Sequence, residues 1–239
     1  MKKICLLLFI FIFCTACTDR ESKLIMVTEA SFAPYEYYSD GKITGVDVEI
    51  ASEIAKEMGK KLVVKDVAFD SIIHEVKSGK ADIGVAGISY SEERAKQVDF
   101  SINYTTSKQV VIVRLNDNIK SINDIKDKKI AVQLGSVADI YVSEKYNNTN
   151  IVRQKKYLAA IQDLKDGKVD CVVMDELPAK QIVSENNNIL ILDDILAEDN
   201  YGIIVDKGND ELLDVINRVI LRLKQEGKID EYILRHSSN

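Results

Sequence analysis

Lys77-Ser78-Gly79-Lys80-Ala81-Asp82 recurs 88 positions later as Lys165-Asp166-Gly167-Lys168-Val169-Asp170. Each copy follows a helix-like stretch, Asp70 to Val76 in the first and Tyr157 to Leu164 in the second. Each then runs into a short apolar segment, Ile83 to Ala86 and Cys171 to Met174. The Gly ends the helix where a left-handed residue carries no side-chain penalty. The apolar run after it reads as a buried parallel strand. Two such units, far apart in one chain, predict two similar α/β lobes. In open α/β sheets a ligand lies beyond the carboxyl ends of the strands. Those ends are Gly87-Ile88-Ser89 and Asp175-Glu176, which predicts a site shared between the lobes. The repeated Lys and Asp residues themselves read as solvated turn chemistry.

On either side of the repeat, strands and helices alternate along the chain, which is the α/β pattern. Leu24 to Thr28 reads as a strand and Glu29 to Tyr38 as an aromatic-rich loop. Val46 to Met58 is an amphipathic helix with Val46, Ile50, Ile54 and Met58 at four-residue spacing. Ile130 to Gln133 is a strand ending in Leu134-Gly135-Ser136, followed by a helix from Val137. Asp210 to Glu226 is a second amphipathic helix, with Leu213, Ile216, Ile220 and Leu223 on one stripe. Gln109 to Val113 and Gly202 to Val205 are the candidate crossings between lobes. No Pro- or Gly-rich tether separates the halves, which suits an ordered hinge better than a floppy linker. These boundaries divide the chain into a first lobe of 23–105 with 202–239 and a second lobe of 106–201.

Lys2 and Lys3, the apolar run Ile4 to Phe13 and then Cys14-Thr15-Ala16-Cys17 form a targeting segment, 1–16. Small residues before a Cys resemble a bacterial lipoprotein signal, with Cys17 as the acylated first residue and 17–22 as a short tether. An ordinary secretory signal is the alternative. Removing the segment takes basic residues from 32 to 30 against 38 acidic ones, for a formal net charge near −8. No basic face is present for nucleic acid. Outside the segment and Cys17 only Cys171 remains, inside an apolar strand, so it reads as a buried structural thiol. Without Cys or His clusters there is no zinc-site pattern, and no cofactor is expected. His74 and His236 lack partner spacing and read as surface residues.

The richest stretch is Gly87-Ile88-Ser89-Tyr90-Ser91-Glu92-Glu93-Arg94. Gly87 lets backbone amides approach a ligand, Ser89 offers a hydroxyl, and Arg94 offers a planar fork suited to a carboxylate. The competing reading makes Arg94 a solvated helix residue paired with a Glu. Gly135-Ser136 occupies a similar strand-to-helix junction in the second half. There a Ser more commonly serves as a helix cap. Asp175 can receive an ammonium group or cap the helix expected near Pro178. Phe32 and Phe69 are the aromatic candidates for a ligand side chain.

The ordered set of segments resembles the periplasmic amino-acid-binding proteins of ABC importers, polar amino-acid group. It comprises Phe32-Ala33-Pro34-Tyr35-Glu36, Gly45-Val46-Asp47-Val48-Glu49-Ile50, Phe69-Asp70-Ser71-Ile72-Ile73, Gly87 through Arg94, Val98-Asp99-Phe100-Ser101, Gln133-Leu134-Gly135-Ser136 and Met174-Asp175. The resemblance implies two Rossmann-like α/β lobes joined by two hinge strands, the type II periplasmic-binding-protein fold. It implies that Arg94 clamps the ligand's α-carboxylate with Ser89, the Gly87 backbone and amides near Ser136 and Val137. Asp175 would receive the α-ammonium, Phe32 and Phe69 would pack on the side chain, and Glu29 would read its far end. Many relatives carry two hydroxyl residues after the second-lobe Gly, whereas Ser136 is followed here by Val137, so the second contact there would be an amide. The implied partners are a free amino acid, arginine or lysine favoured and glutamine as the alternative, and an ABC permease, with the protein acting as a monomer. A cyclohexadienyl-dehydratase-like enzyme, with Asp175 or Glu176 as general acid, is a second class, and a sensor domain for a membrane partner a third.

Overall fold

The computed structural model describes residues 20, 22–146 and 150–238. The signal segment 1–16 and Cys17 lie outside them. In the first half, β1 (Lys23–Thr28) leads into a small antiparallel sheet of β2 (Ser31–Phe32), β3 (Glu36–Ser39) and β4 (Lys42–Thr44). Then come α1 (Val46–Glu57), β5 (Lys61–Asp66), a 3-10 turn at Phe69–Ser71, α2 (Ile72–Lys77), β6 (Ile83–Gly84), α3 (Glu92–Ala95) and β7 (Val98–Phe100). The second half holds β8 (Thr105–Arg114), β9 (Ile130–Gln133), α4 (Val137–Lys145), β10 (Ile151–Gln154), α5 (Tyr157–Lys165), β11 (Cys171–Asp175), α6 (Glu176–Ser184), β12 (Ile189–Ile191) and β13 (Ala197–Tyr201). The chain then returns through β14 (Ile204–Asp206), α7 (Asp210–Gln225) and α8 (Lys228–Ser237).

Two sheets result, in the orders β5-β1-β6-β14-β7 and β10-β9-β11-β8-β12. β1, β5 and β6 run parallel, as do β9, β10 and β11, which directs the carboxyl ends of each set toward one rim. β8 is shared between two roles. Its later residues pair with β11 and β12 inside the second sheet, while Thr105 to Gln109 pair with β13 in an antiparallel ribbon. The chain passes between sheets along that ribbon, so the return crossing is Ala197–Tyr201 and not the Gly202 to Val205 run that its apolar residues suggest. The ribbon strand AEDNY carries three polar side chains in succession, and so lacks the apolar signature by which a strand is recognised.

Both repeat copies adopt the same local fold. Gly79 and Gly167 follow their helices with φ of 69° and 73°. Gly79 N donates to the Val76 carbonyl and Gly167 N to that of Leu164, closing each helix. The two Asp residues are more than solvated turn chemistry. Ile25 N donates to Asp82 Oδ2 at 2.7 Å, and Asp82 N returns a bond to Ile25 O at 2.8 Å. Lys129 N donates to Asp170 Oδ2 at 2.8 Å, and Asp170 N returns one to Lys129 O at 2.8 Å. Each Asp thus staples its incoming strand to the start of the neighbouring strand, β1 or β9. A carboxylate satisfying an edge amide is a charge-assisted bond that sequence alone does not distinguish from turn preference.

Packing follows the expected stripes with one shift. α1 buries Val46, Ile50, Ala51, Ile54 and Ala55. α7 buries Leu212, Ile216, Val219, Ile220 and Leu223, so Leu212 rather than Leu213 begins its stripe. α8 continues to Ser237 and puts Ile229, Tyr232 and His236 on its inner face. His236 is therefore buried, not superficial, with Nδ1 3.0 Å from the Tyr37 hydroxyl. Cys171 is fully buried in β11, and burial pushes its thiol up to about 12. The largest apolar cluster spans both lobes, from Ile50 and Tyr35 to Val110, Tyr157 and Met174, so the lobes are closed upon one another. Among the described residues no helix is long and apolar enough to cross a membrane.

Removing either staple should be costly. Asp82→Ala should lower the unfolding free energy by about 1–3 kcal/mol, because it strands a part-buried strand-edge amide, and Asp170→Ala by about 0.5–1.5 kcal/mol, because water can reach the exposed Lys129 amide. Urea unfolding of the two variants measures this; two unchanged midpoints would show the carboxylates to be idle.

Candidate ligand-binding site

The rims of the two sheets face a narrow crevice. Glu29, Phe32, Phe69, Gly87, Ser89, Ser136, Val137 and Asp175 line it, together with Glu36, Gln133, Tyr157 and Ala86. Eight of the nine ligand-site residues named from sequence are thus brought together at its walls. Arg94, the ninth, is not among the lining residues but touches two of them, Ser89 and Phe69. Gly87 is in the left-handed region at φ 52°, and a Cβ there would come within 2.9 Å of the Phe32 ring. Only a glycine lets this loop pass so close to the aromatic wall.

Ser91 starts α3 by accepting from Arg94 N at 3.2 Å. That turn aims the Arg94 side chain inward, where it is 6% exposed. Nη1 donates to the Ser89 carbonyl at 2.6 Å, and Nη2 crosses the cleft to the Gly135 carbonyl at 2.7 Å. The guanidinium carbon lies 5.7 Å from the centre of the Phe69 ring. Arg94 is therefore not a solvated helix residue. Burial acts to lower its pKa, while Asp199 and Asp175 oppose that shift. Ser136 does cap α4, accepting from Asp139 N at 3.1 Å, and it lines the crevice as well.

Asp175 occupies the cap position of α6 without a capping bond. Its Oδ1 instead accepts from Ser107 Oγ at 2.8 Å, from Gln109 Nε2 at 2.7 Å and from the Tyr201 hydroxyl. Gln109 also donates to Asp199 Oδ2 at 3.0 Å, so one amide bridges two carboxyl groups. Burial raises the pKa of Asp175. Burial and the neighbouring Asp175 push Asp199 up to about 7. On the other wall, Asp47 in α1 accepts from Gly87 N at 2.9 Å and so holds the glycine loop. Burial pushes Asp47 up to about 6, and burial together with repulsion from Asp47 holds Glu36 well above the carboxylate range.

Glu29 directly follows β1 and is 2% exposed. Ser31 Oγ lies 2.8 Å from each of its oxygens, and Gln133 Nε2 donates to Oε2 at 3.3 Å. Lys156 Nζ, at the start of α5, reaches Oε1 at 3.1 Å. Partial burial opposes the Lys156 charge, but the bond to Glu29 and attraction from Glu29 and Asp66 outweigh it and raise its pKa. Phe32 stacks on Tyr157 from across the cleft at 5.7 Å and 22°. Gln133, Tyr157, Glu36 and Lys156 are additions to the residues read from sequence. The strand-end rule that singles out Asp175 applies equally to Gln133, the last residue of β9, and Tyr157 opens the helix of the second repeat. Nothing in the spacing marks Lys156, because its partner Glu29 lies on the opposite lobe.

Two α/β lobes with a polar, mostly acidic crevice between their strand ends define a cleft-type solute receptor. The chain matches the bacterial extracellular solute-binding proteins, family 3, over residues 24–237 and belongs to that family. It is 30% identical over 228 residues to the arginine-binding extracellular protein ArtP of Bacillus subtilis, covering 91% of this chain and 89% of that one. The glutamine-binding protein GlnH of the same organism is 32% identical over 197 residues, covering 81% and 72%. Among solved structures, the substrate-binding protein AbpA of Streptococcus pneumoniae bound to L-arginine superposes with a TM-score of 0.87 at 34% identity, covering 93% of this chain and 98% of that chain. An ancestral arginine-binding protein bound to glutamine gives 0.84 at 38% identity, covering 90% and 97%. The fold is the type II periplasmic-binding-protein fold.

The raised carboxyl groups make ligand-free stability pH-dependent. A carboxyl whose pKa is higher in the fold contributes stability that is fully present below the ordinary value near 4. That contribution is lost as pH rises through the folded pKa, here about 6 for Asp47 and about 7 for Asp199. Carboxylates held low, such as Asp99 bonded to Lys207, titrate below this window. The ligand-free Tm should therefore fall by about 5 °C or more between pH 5 and pH 8. Asp199→Asn should flatten the part of the decline near pH 7. Scanning calorimetry across that range measures both, and a rising Tm would overturn the assignment.

Proposed function

We propose that this protein is the substrate-binding subunit of an amino-acid ABC importer. It closes on a free L-amino acid, a basic side chain favoured, and delivers it to a membrane permease. The observation that carries this reading is one buried carboxylate, Asp175, on the crevice wall, and one buried guanidinium, Arg94, beside the lining residues Ser89 and Phe69. A zwitterion leaves water at low cost only where both of its charges are met. In this reading the α-carboxylate lies by Arg94, Ser89, the Gly87 loop and the amides of Ser136 and Val137. The α-ammonium lies against Asp175, whose Oδ1 is taken up by Ser107, Gln109 and Tyr201, and therefore meets Oδ2. Phe32 and Phe69 flank the side chain, and Glu29 faces its end.

Cargo charge follows from Glu29, whose buried carboxylate faces the far end of the ligand side chain. A carboxylate there favours arginine or lysine. Glutamine is the second reading, supported by the amide of Gln133 and the ammonium of Lys156, which already satisfy Glu29. The lobes are assigned to 23–105 with 202–239 and to 106–201. Acylation at Cys17, after removal of 1–16, would hold the receptor on the outer side of a membrane as a monomer. The role is binding rather than catalysis. The family consists of solute-binding proteins, and Asp175 is committed to the ribbon by three donors.

A thermal-shift screen against the twenty amino acids tests the reading, because a ligand of the native state raises Tm by mass action. Arginine or lysine at micromolar concentration should raise it by several degrees, and Arg94→Ala should abolish the response. Asp175→Asn should weaken binding by about a hundredfold, equivalent to ~2.7 kcal/mol for losing a buried charge-assisted contact. Calorimetric binding of glutamine without arginine or lysine would sink the basic-cargo reading. Formation of an aromatic product from prephenate would sink the receptor reading itself.

A further inference from the structure

The Glu29 carboxylate is 2% exposed and faces the crevice, yet its charge partner is supplied from outside. Lys156 is 47% exposed and reaches in from the opposite lobe to Oε1 at 3.1 Å. The same ammonium lies 3.8 Å from Asp66 Oδ2, at the more exposed end of β5, where Tyr38 also donates at 3.4 Å. Lys156 thus has an inner acid partner on the crevice wall and an outer one at its mouth. The step from one to the other is a rotation of a flexible, half-solvated side chain.

We propose that Lys156 is an internal competitor for the distal subsite at Glu29, displaced toward Asp66 when a basic side chain enters and left in place when a neutral one does. This deepens the receptor reading above and rests on it. The chemistry of the groups decides the sense of the competition. A guanidinium is planar, permanently charged and able to serve both oxygens of a carboxylate at once. The Lys156 ammonium serves one oxygen as a point donor. An incoming guanidinium can therefore replace it and leave Glu29 fully neutralised, while Lys156 keeps an acid partner in Asp66. A side-chain amide brings no charge, so Glu29 stays compensated only if Lys156 remains. Lys156 consequently weakens basic cargo and supports neutral cargo, and it sets the ratio between them. Its ammonium also joins the two lobes through one ion pair.

Titration calorimetry of the purified protein with arginine, lysine and glutamine, at low and at physiological salt, tests this. Lys156→Met and Lys156→Gln should each bind arginine about tenfold more tightly than the unaltered protein and glutamine more weakly. The arginine gain should shrink as salt screens the pair. Glu29→Gln in the Lys156→Met background should erase the gain, because the competitor and its target are then both gone. Unchanged or weaker arginine binding in both Lys156 variants overturns the competitor role while leaving the receptor reading intact. An unaltered protein that binds none of the three amino acids overturns the receptor reading, and the competitor role with it.

Discussion

Everything at the crevice turns on how one carboxylate is held. Asp175 ends β11 in the second lobe, but its three donors come from the connecting ribbon: Ser107 and Gln109 on β8, Tyr201 on β13. An unpaired buried carboxylate is costly, and neutral donors relieve only part of that cost. The residual demand for positive charge is thereby located at the one place where the chain crosses between lobes. A cation arriving at Asp175, as in the proposed function, would act on the ribbon as well as on the wall. Tyr201 is bridged to Ser89, and Gly202 N donates to the Ile88 carbonyl, so the same cluster reaches the glycine loop of the first lobe. If Asp175 receives the ligand as proposed, recognition and lobe arrangement share one network of hydrogen bonds.

The two lobes share a scaffold and differ in charge at its ends. Gly79 and Gly167 close equivalent helices, and Asp82 and Asp170 staple equivalent strands with the same pair of bonds. Beyond the staples the copies diverge. The first strand end opens into backbone amides and leads to Arg94, whereas the second ends in Asp175. Complementarity to a dipolar ligand, as proposed, would use such an asymmetry between the two strand ends.

Much of this was legible in the sequence because it is local. The helix–Gly–strand repeat, the stripe of α1 and the strand ends that line the crevice all follow from spacing and from turn chemistry within a few residues. The resemblance to a known family added roles that spacing leaves open at Arg94, Ser136 and Asp175. The features that stayed hidden are non-local. Lys156 meets Glu29 across 127 positions of sequence, and Asp47 meets the Gly87 amide across 40. The polar ribbon strand Ala197–Tyr201 owes its conformation to pairing with β8 rather than to its own apolar pattern. His236 is buried because α8 extends beyond its last apolar residue and keeps its inner face toward the core. In each case a partner distant in sequence overrides the local preference.

The sealed thiol of Cys171 lies in the strand that carries Asp175, with its proton held up to about 12. A thiol in that condition offers almost no thiolate for exchange at the pH of an extracytoplasmic compartment. Exposure requires β11 to leave its sheet, where it pairs with β8 and β9. The rate at which a thiol reagent modifies this residue therefore reports how often the sheet around β11 opens.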